Sequence, residues 1–320
     1  ERTIDLIEAA QIDPAEIEKI LGRLELRPVF TAHPTEASRR SILTKLNDVA
    51  VLIDKRLDPR ATELEKRRID RRLAELIDLI WQTDELRRDK PDPRDEAVSV
   101  IYYFDEMFKS SVPGVLDAYA SQVARLDVEV AVDATPIKFG TWVGGDRDGN
   151  PFVTVAVTED VLAAQHDHAM RNIIAGVEAL AADLSTSSRI RDVSEELVAS
   201  LDADSQKMPD TFAQFGDLDA EEPYRLKLAY IHQRPINTHE SVRAGREVPQ
   251  GQGYAAVSEL IDELTLIYRS LMENRGELVA TGMVARLTRN VATFGFHLAT
   301  MDIRQHAEKH RSAISELFGE

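Results

Sequence analysis

The sequence predicts a mainly α-helical fold carrying a few parallel β-strands. Two observations lead there. Long segments repeat apolar residues at helical spacing, and three short segments rich in aromatic or β-branched residues stand far apart with helices between them. Strands so widely separated pair in parallel through helical crossovers.

The helices dominate. Within residues 62–88, Leu64, Leu73, Leu76, Ile77 and Ile80 follow helical spacing after a highly charged start. Residues 96–123 and 159–184 read as amphipathic helices. Within 254–273, Val257, Leu260, Ile261, Leu264, Ile267 and Leu271 form an apolar stripe. Such stripes are core-packing faces. The strand candidates are residues 27–33, 137–144 and 294–304, each bounded by Gly, Pro or charge. Residues 202–222 are polar with Gly and Pro and read as a loop, as do residues 243–253. Three strands cannot close a barrel, and an open sheet exposes unpaired edges, so the architecture reads as unfinished.

Composition narrows the function. The 320 residues are 43% hydrophobic and 30% charged, which suits a globular chain rather than a disordered one. A net charge of −17 disfavours nucleic acid and anionic membrane as partners. Screening over about 8 Å at physiological salt still lets a few local arginines hold a small anion. Cysteine is absent, which excludes disulfides and zinc–thiolate sites and points to the cytoplasm. The first residues lack a signal-peptide pattern, and no apolar run approaches a membrane span.

Three segments carry the candidate chemistry. In RPVFTAHPTEASRRSIL an extended run ends at His33, and Pro34 biases it away from helical geometry. Thr35 can cap the following helix, placing Arg39 and Arg40 in its first turns, where cations oppose the helix dipole. Guanidiniums beside helix-start N–H groups make an anion site, although pairing of Arg39 and Arg40 with surface acids explains them equally well. In KFGTWVGGDRDGNPFVT, Gly144 and Gly145 allow close backbone approach, and Asp148-Gly149 and Asn150-Pro151 mark tight turns. A calcium loop is excluded, because Pro151 stands where Gly is needed and Val157 where Glu is needed. In FGFHLATMDIRQHAEKH, alternation puts Phe296, Leu298, Thr300, Asp302 and Arg304 on one strand face, where Asp302 and Arg304 can form a pair or present Arg304 to an anion. His166 and His168 are two apart on a helix and do not share a face. Gly251, Gly253 and Ala256 lack the preceding strand of a dinucleotide fingerprint.

Taken together, FTAHPTEASRRS, GTWVGGDRDGNPFVT and MDIRQHAEKH resemble, in order, hallmark segments of the phosphoenolpyruvate carboxylase family, and WQTDELRRDKPDPRDE and EPYR read like further family segments. His306-Ala307 departs from the usual residues of the third motif. The resemblance implies a (β/α)8 TIM-type barrel embedded in helices. Residues 1–320 would be the incomplete N-terminal part of a single barrel domain, with its first three strands. It implies carboxylation of phosphoenolpyruvate by bicarbonate to oxaloacetate and phosphate, a lyase reaction of carbon dioxide fixation, with Mg²⁺ or Mn²⁺ whose ligands lie beyond this segment. His33 would be the general base, and Arg304 would bind the substrate phosphate. Trp142, Gly144, Gly145, Asp146, Arg147 and Asp148 would form an active-site loop. Arg39, Arg40 and Arg87 match positions tied to a phosphorylated activator in some members. The parent enzyme would be a cytoplasmic, allosteric homotetramer, and the 320 residues alone would be inactive. Two other readings remain open: a non-catalytic helical interaction fragment, and a phosphohistidine enzyme using the same substrate.

Overall fold

A computed structural model describes residues 2–31, 40–84, 92–217 and 221–319. The first part of the chain forms α1 (Arg2–Ala10), α2 (Pro14–Leu21), β1 (Val29–Phe30), α3 (Arg40–Leu57), α4 (Glu63–Trp81), α5 (Pro93–Glu106), α6 (Val112–Ala124) and β2 (Gly140–Thr141). The second part forms α7 (Val155–Asp183), α8 (Glu195–Lys207), α9 (Pro209–Phe215), α10 (Pro223–Arg243), α11 (Val257–Glu273), α12 (Glu277–Val279), α13 (Ala285–Phe294), β3 (Thr300–Met301) and α14 (Ala307–Phe318). The fold is mainly helical, with one small parallel sheet in the order β1-β2-β3. No helix among the described residues is long and apolar enough to cross a membrane.

Local chemistry sets the helix ends. Helix α4 opens on a capping box, in which Thr62 Oγ1 accepts from the Glu65 N–H at 3.3 Å and the Thr62 N–H donates to Glu65 Oε2 at 2.8 Å. Its α-helical part ends at Trp81, short of the expected residue 88; residues 85–91 lie outside the described ones. The expected single helix over 96–123 is divided. Between α5 and α6, Met107–Ser111 form a π-helical turn, and the Val112 N–H bonds to the Met107 carbonyl five residues back. Pro113 supplies the reason, since it has no N–H and its ring crowds the carbonyl four residues earlier. Helix α7 begins at Val155, four residues before expectation, because Thr154 caps it through the Val157 N–H. The stripe of 254–273 is α11.

One further expectation fails in the helical region. The described residues of 202–222 are largely helical, holding the end of α8 and all of α9, where a loop was expected. Asp204, a polar residue that argued for exposure, is 3% exposed and serves buried cations. Helix α10 shows no clean apolar stripe because Lys227 and Arg234 are themselves interior. The Lys227 ammonium donates to Ser200 Oγ at 2.8 Å, Asp204 Oδ2 at 2.7 Å and Glu263 Oε1 at 2.6 Å. Arg234 bonds the same two carboxylates, and Tyr254 donates its hydroxyl to Glu263. This alternating network ties α8, α10 and α11 together. The loop expected at 243–253 follows α10 as read.

The three strands occur where the sequence places them but are shorter. Val29 pairs with Gly140 and Phe30 with Thr141, and these pair in turn with Thr300 and Met301. The third candidate is the most changed. Phe294 closes α13, Gly295 takes φ +55°, Leu298 takes φ +59°, and extended pairing starts only at Thr300. Phe296 and Leu298 therefore do not share a strand face with Asp302 and Arg304. Beneath the sheet an aromatic cluster joins it to the helical core: Phe30 meets Phe104 edge-on at 4.9 Å, and Phe139 stacks on Phe294 at 5.1 Å.

Candidate active site

All three strands run the same way, so their C-terminal ends lie along one rim of the sheet. The Trp142 N–H donates to Phe30 O, and the Asp302 N–H donates to Thr141 O, each at 2.9 Å. Beyond β2 the chain turns tightly. The Gly145 and Asp146 N–H groups both donate to Trp142 O at 2.9 Å. Gly144 takes φ +82°, and a Cβ there would lie within 3.0 Å of Val161. A Cβ on Gly145 would meet the Asp302 carbonyl oxygen at 2.3 Å. The double glycine thus lets the β2 loop lie directly against the strand leading to Arg304. There Arg304 N donates to Gly145 O at 3.0 Å, and Arg147 N donates to Arg304 O at 2.9 Å.

This backbone clamp brings four side chains together. The Arg304 guanidinium sits over the Trp142 ring, 4.2 Å from its centroid, in cation–π contact. Trp142 Nε1 donates to Asp302 Oδ2 at 3.0 Å. Arg304 Nη1 donates to Asp146 Oδ2 at 3.0 Å. Asp302 and Arg304 do not pair with each other as the alternation suggested. Asp302 orients the indole, and Asp146 holds the guanidinium.

The other expected loop residues have different surroundings. Arg147 faces inward: Nη2 donates to Thr158 Oγ1 at 2.9 Å, while its Nε is buried without a partner. Thr158 in turn donates to Gly144 O at 2.7 Å, so Arg147 and Thr158 brace the turn from α7. Asp148 is exposed, and its N–H donates to Asp146 Oδ1 at 3.3 Å. His33, Arg39 and Arg87 lie outside the described residues, as does the side chain of Arg40. His166 and His168 serve separate partners, the Phe296 carbonyl and the Asp105 carboxylate. Among the described residues, no group of three or more His, Asp or Glu side chains could hold a metal ion.

The sequence had singled out Trp142, Asp146 and Arg304 separately. It did not disclose their contact, nor the parts played by Asp302 and Thr158. The signals for those two were slight: an acidic residue two before Arg304, and a threonine one turn into α7.

The chain is thus a mainly helical protein with one small parallel sheet, whose strand ends gather a glycine-tight turn, an indole and a guanidinium along one rim. Comparison with known sequences is more specific. The family profile for phosphoenolpyruvate carboxylase matches residues 1–320, and the chain belongs to that family. A phosphoenolpyruvate carboxylase of Bradyrhizobium diazoefficiens is 34% identical over 319 residues, which is 98% of this chain and 33% of the relative. One from Aromatoleum aromaticum is 36% identical over 316 residues, covering 97% of this chain and 34% of that protein. One from Roseiflexus castenholzii is 35% identical over 319 residues, again 97% and 34%. The chain therefore spans about a third of the length of these curated relatives.

Proposed function

We propose that this segment is the N-terminal part of a single (β/α)8 barrel domain, supplying its first three strands and one arc of the active-site rim. The complete polypeptide joins phosphoenolpyruvate and bicarbonate to give oxaloacetate and phosphate, and works as a cytoplasmic homotetramer. The observation that supports this best is the assembly of Trp142, Asp146 and Arg304 across two parallel strand ends.

In this reading Arg304 binds the substrate phosphate. Its permanent charge and planar donors suit an oxyanion that redistributes charge as the phosphoryl group moves to bicarbonate. The transfer leaves carboxyphosphate and an enolate. His33 then acts as general base in carboxyphosphate breakdown, for which an imidazole titrating near working pH is apt. The enolate must capture carbon dioxide before a proton reaches it. The Trp142 indole, locked by Asp302 and covered by Arg304, helps keep water away. The family's metal, Mg²⁺ or Mn²⁺, belongs to the complete protein, and Arg39, Arg40 and Arg87 would hold a phosphorylated effector.

The test is bicarbonate-dependent oxaloacetate formation, measured for the 320 residues and for a polypeptide extended to the relatives' full length. The short chain should be inactive and the long one active, with His33→Asn abolishing oxaloacetate formation. Full turnover by the short chain, or an active His33→Asn enzyme, would overturn the reading.

A further inference from the structure

Arg304 engages its guanidinium in a lopsided way. Nη1 donates to Asp146, the ring of Trp142 covers one face, and no other side-chain hydrogen bond of Arg304 is formed among the described residues. Both partners of the ion pair are accessible, with side chains 43% and 35% exposed. Such a pair is easily broken in water. Asp146 itself cannot drift away, because its N–H is held by Trp142 O and its backbone lies in a parallel bridge beside Arg304. The nearby Asp302 is already occupied by the indole N–H, which leaves Asp146 as the carboxylate facing the guanidinium. A carboxylate and a phosphate offer a guanidinium the same kind of oxygen acceptor.

We propose that Asp146 is a resident competitor for the anion that Arg304 binds. It keeps the guanidinium folded over Trp142, occupies one of its donors and part of its charge when a phosphate arrives, and so sets anion affinity. Asp146 is a positioning residue, since it acts through Arg304. The inference rests on the reading of Arg304 as an anion ligand, and the experiment separates the two.

The chain has two tryptophans, so Trp81→Phe leaves Trp142, in contact with Arg304, as the single fluorescent reporter. That protein is titrated with inorganic phosphate at constant ionic strength, alone and with Asp146→Asn, Asp146→Glu or Arg304→Ala. Near-ultraviolet circular dichroism checks that each variant is folded. Asp146→Asn should bind phosphate about 3- to 10-fold more tightly, Asp146→Glu should stay near the parent, and Arg304→Ala should lose the response. A parent that responds with Asp146→Asn equal or weaker overturns the competitor role alone. Phosphate responses that are absent throughout, or that survive Arg304→Ala, overturn the reading of Arg304 and with it this inference.

Discussion

Gly145 and Asp302 approach so closely that a methyl group on Gly145 would lie 2.3 Å from the Asp302 carbonyl oxygen. Neither side can yield cheaply. The Gly145 carbonyl accepts from Arg304 N, and the Asp302 N–H is paired to Thr141 O. Gly145→Ala should therefore push the β2 loop off the strand that carries Arg304. We expect a loss of roughly 1–3 kcal/mol in urea unfolding, by the cost of overpacking, together with loss of the Trp142 fluorescence response to phosphate. An unchanged midpoint would show that the two strand ends are not locked as described.

The interior cation Lys227 has no exposed side-chain surface and bonds two carboxylates that Arg234 also serves. Lys227→Met leaves those carboxylates around a single guanidinium. The expected cost is about 3–5 kcal/mol, as for a broken buried pair. Adding Glu263→Gln should recover part of it, and a double-mutant cycle in urea measures the coupling.

Tyr254 gives a pH signature. Burial, then the neighbouring Glu263 carboxylate, hold its phenol well above the ordinary value of 10.0. Above that value the unfolded chain releases the phenolic proton while the folded chain keeps it. The stabilisation is thus complete below about pH 10 and is lost as pH rises toward the folded value. Wild-type stability should fall more steeply above pH 10 than that of Tyr254→Phe. Parallel curves would remove Tyr254 as the cause.

Thr158 is the keystone of the β2 turn, accepting from Arg147 and donating to Gly144 O. Thr158→Val keeps the volume and removes both bonds. With Arg147 Nε already unpartnered, the guanidinium loses a further contact in a buried setting. A loss of about 1–3 kcal/mol is expected, and Thr158→Ser should restore most of it. Equal losses for the Val and Ser variants would point to packing instead.

Much of this layout was legible in the sequence. Apolar periodicity located α4, α7 and α11, and the glycine and aromatic punctuation located three parallel strands. The failures share one physical origin. Asp204, Lys227 and Arg234 satisfy one another inside the core, and pattern reading assigns such residues to the surface, which hid α8 and blurred α10. Strand length was overestimated because β-branched and aromatic residues continue past the paired region: Phe294 serves the helical core, while Gly295 and Leu298 build a turn. The contact of Trp142 with Arg304 depends on tertiary structure between residues 160 or so apart, so local pattern carries no trace of it.

The pairing of Gly140 with Thr300 has a temporal consequence. During synthesis, β2 leaves the ribosome long before its neighbour exists, and the intervening helices must be made first. Contacts spanning so much chain form late. The helical body should therefore mature while the rim is still open. In pulse-labelled refolding, the amides of Asp302 and Arg304 should gain protection after those of α7 and α11. Protection of the rim first would reverse that order. A nascent chain would thus bring Trp142 and Arg304 together only after its helical body has formed.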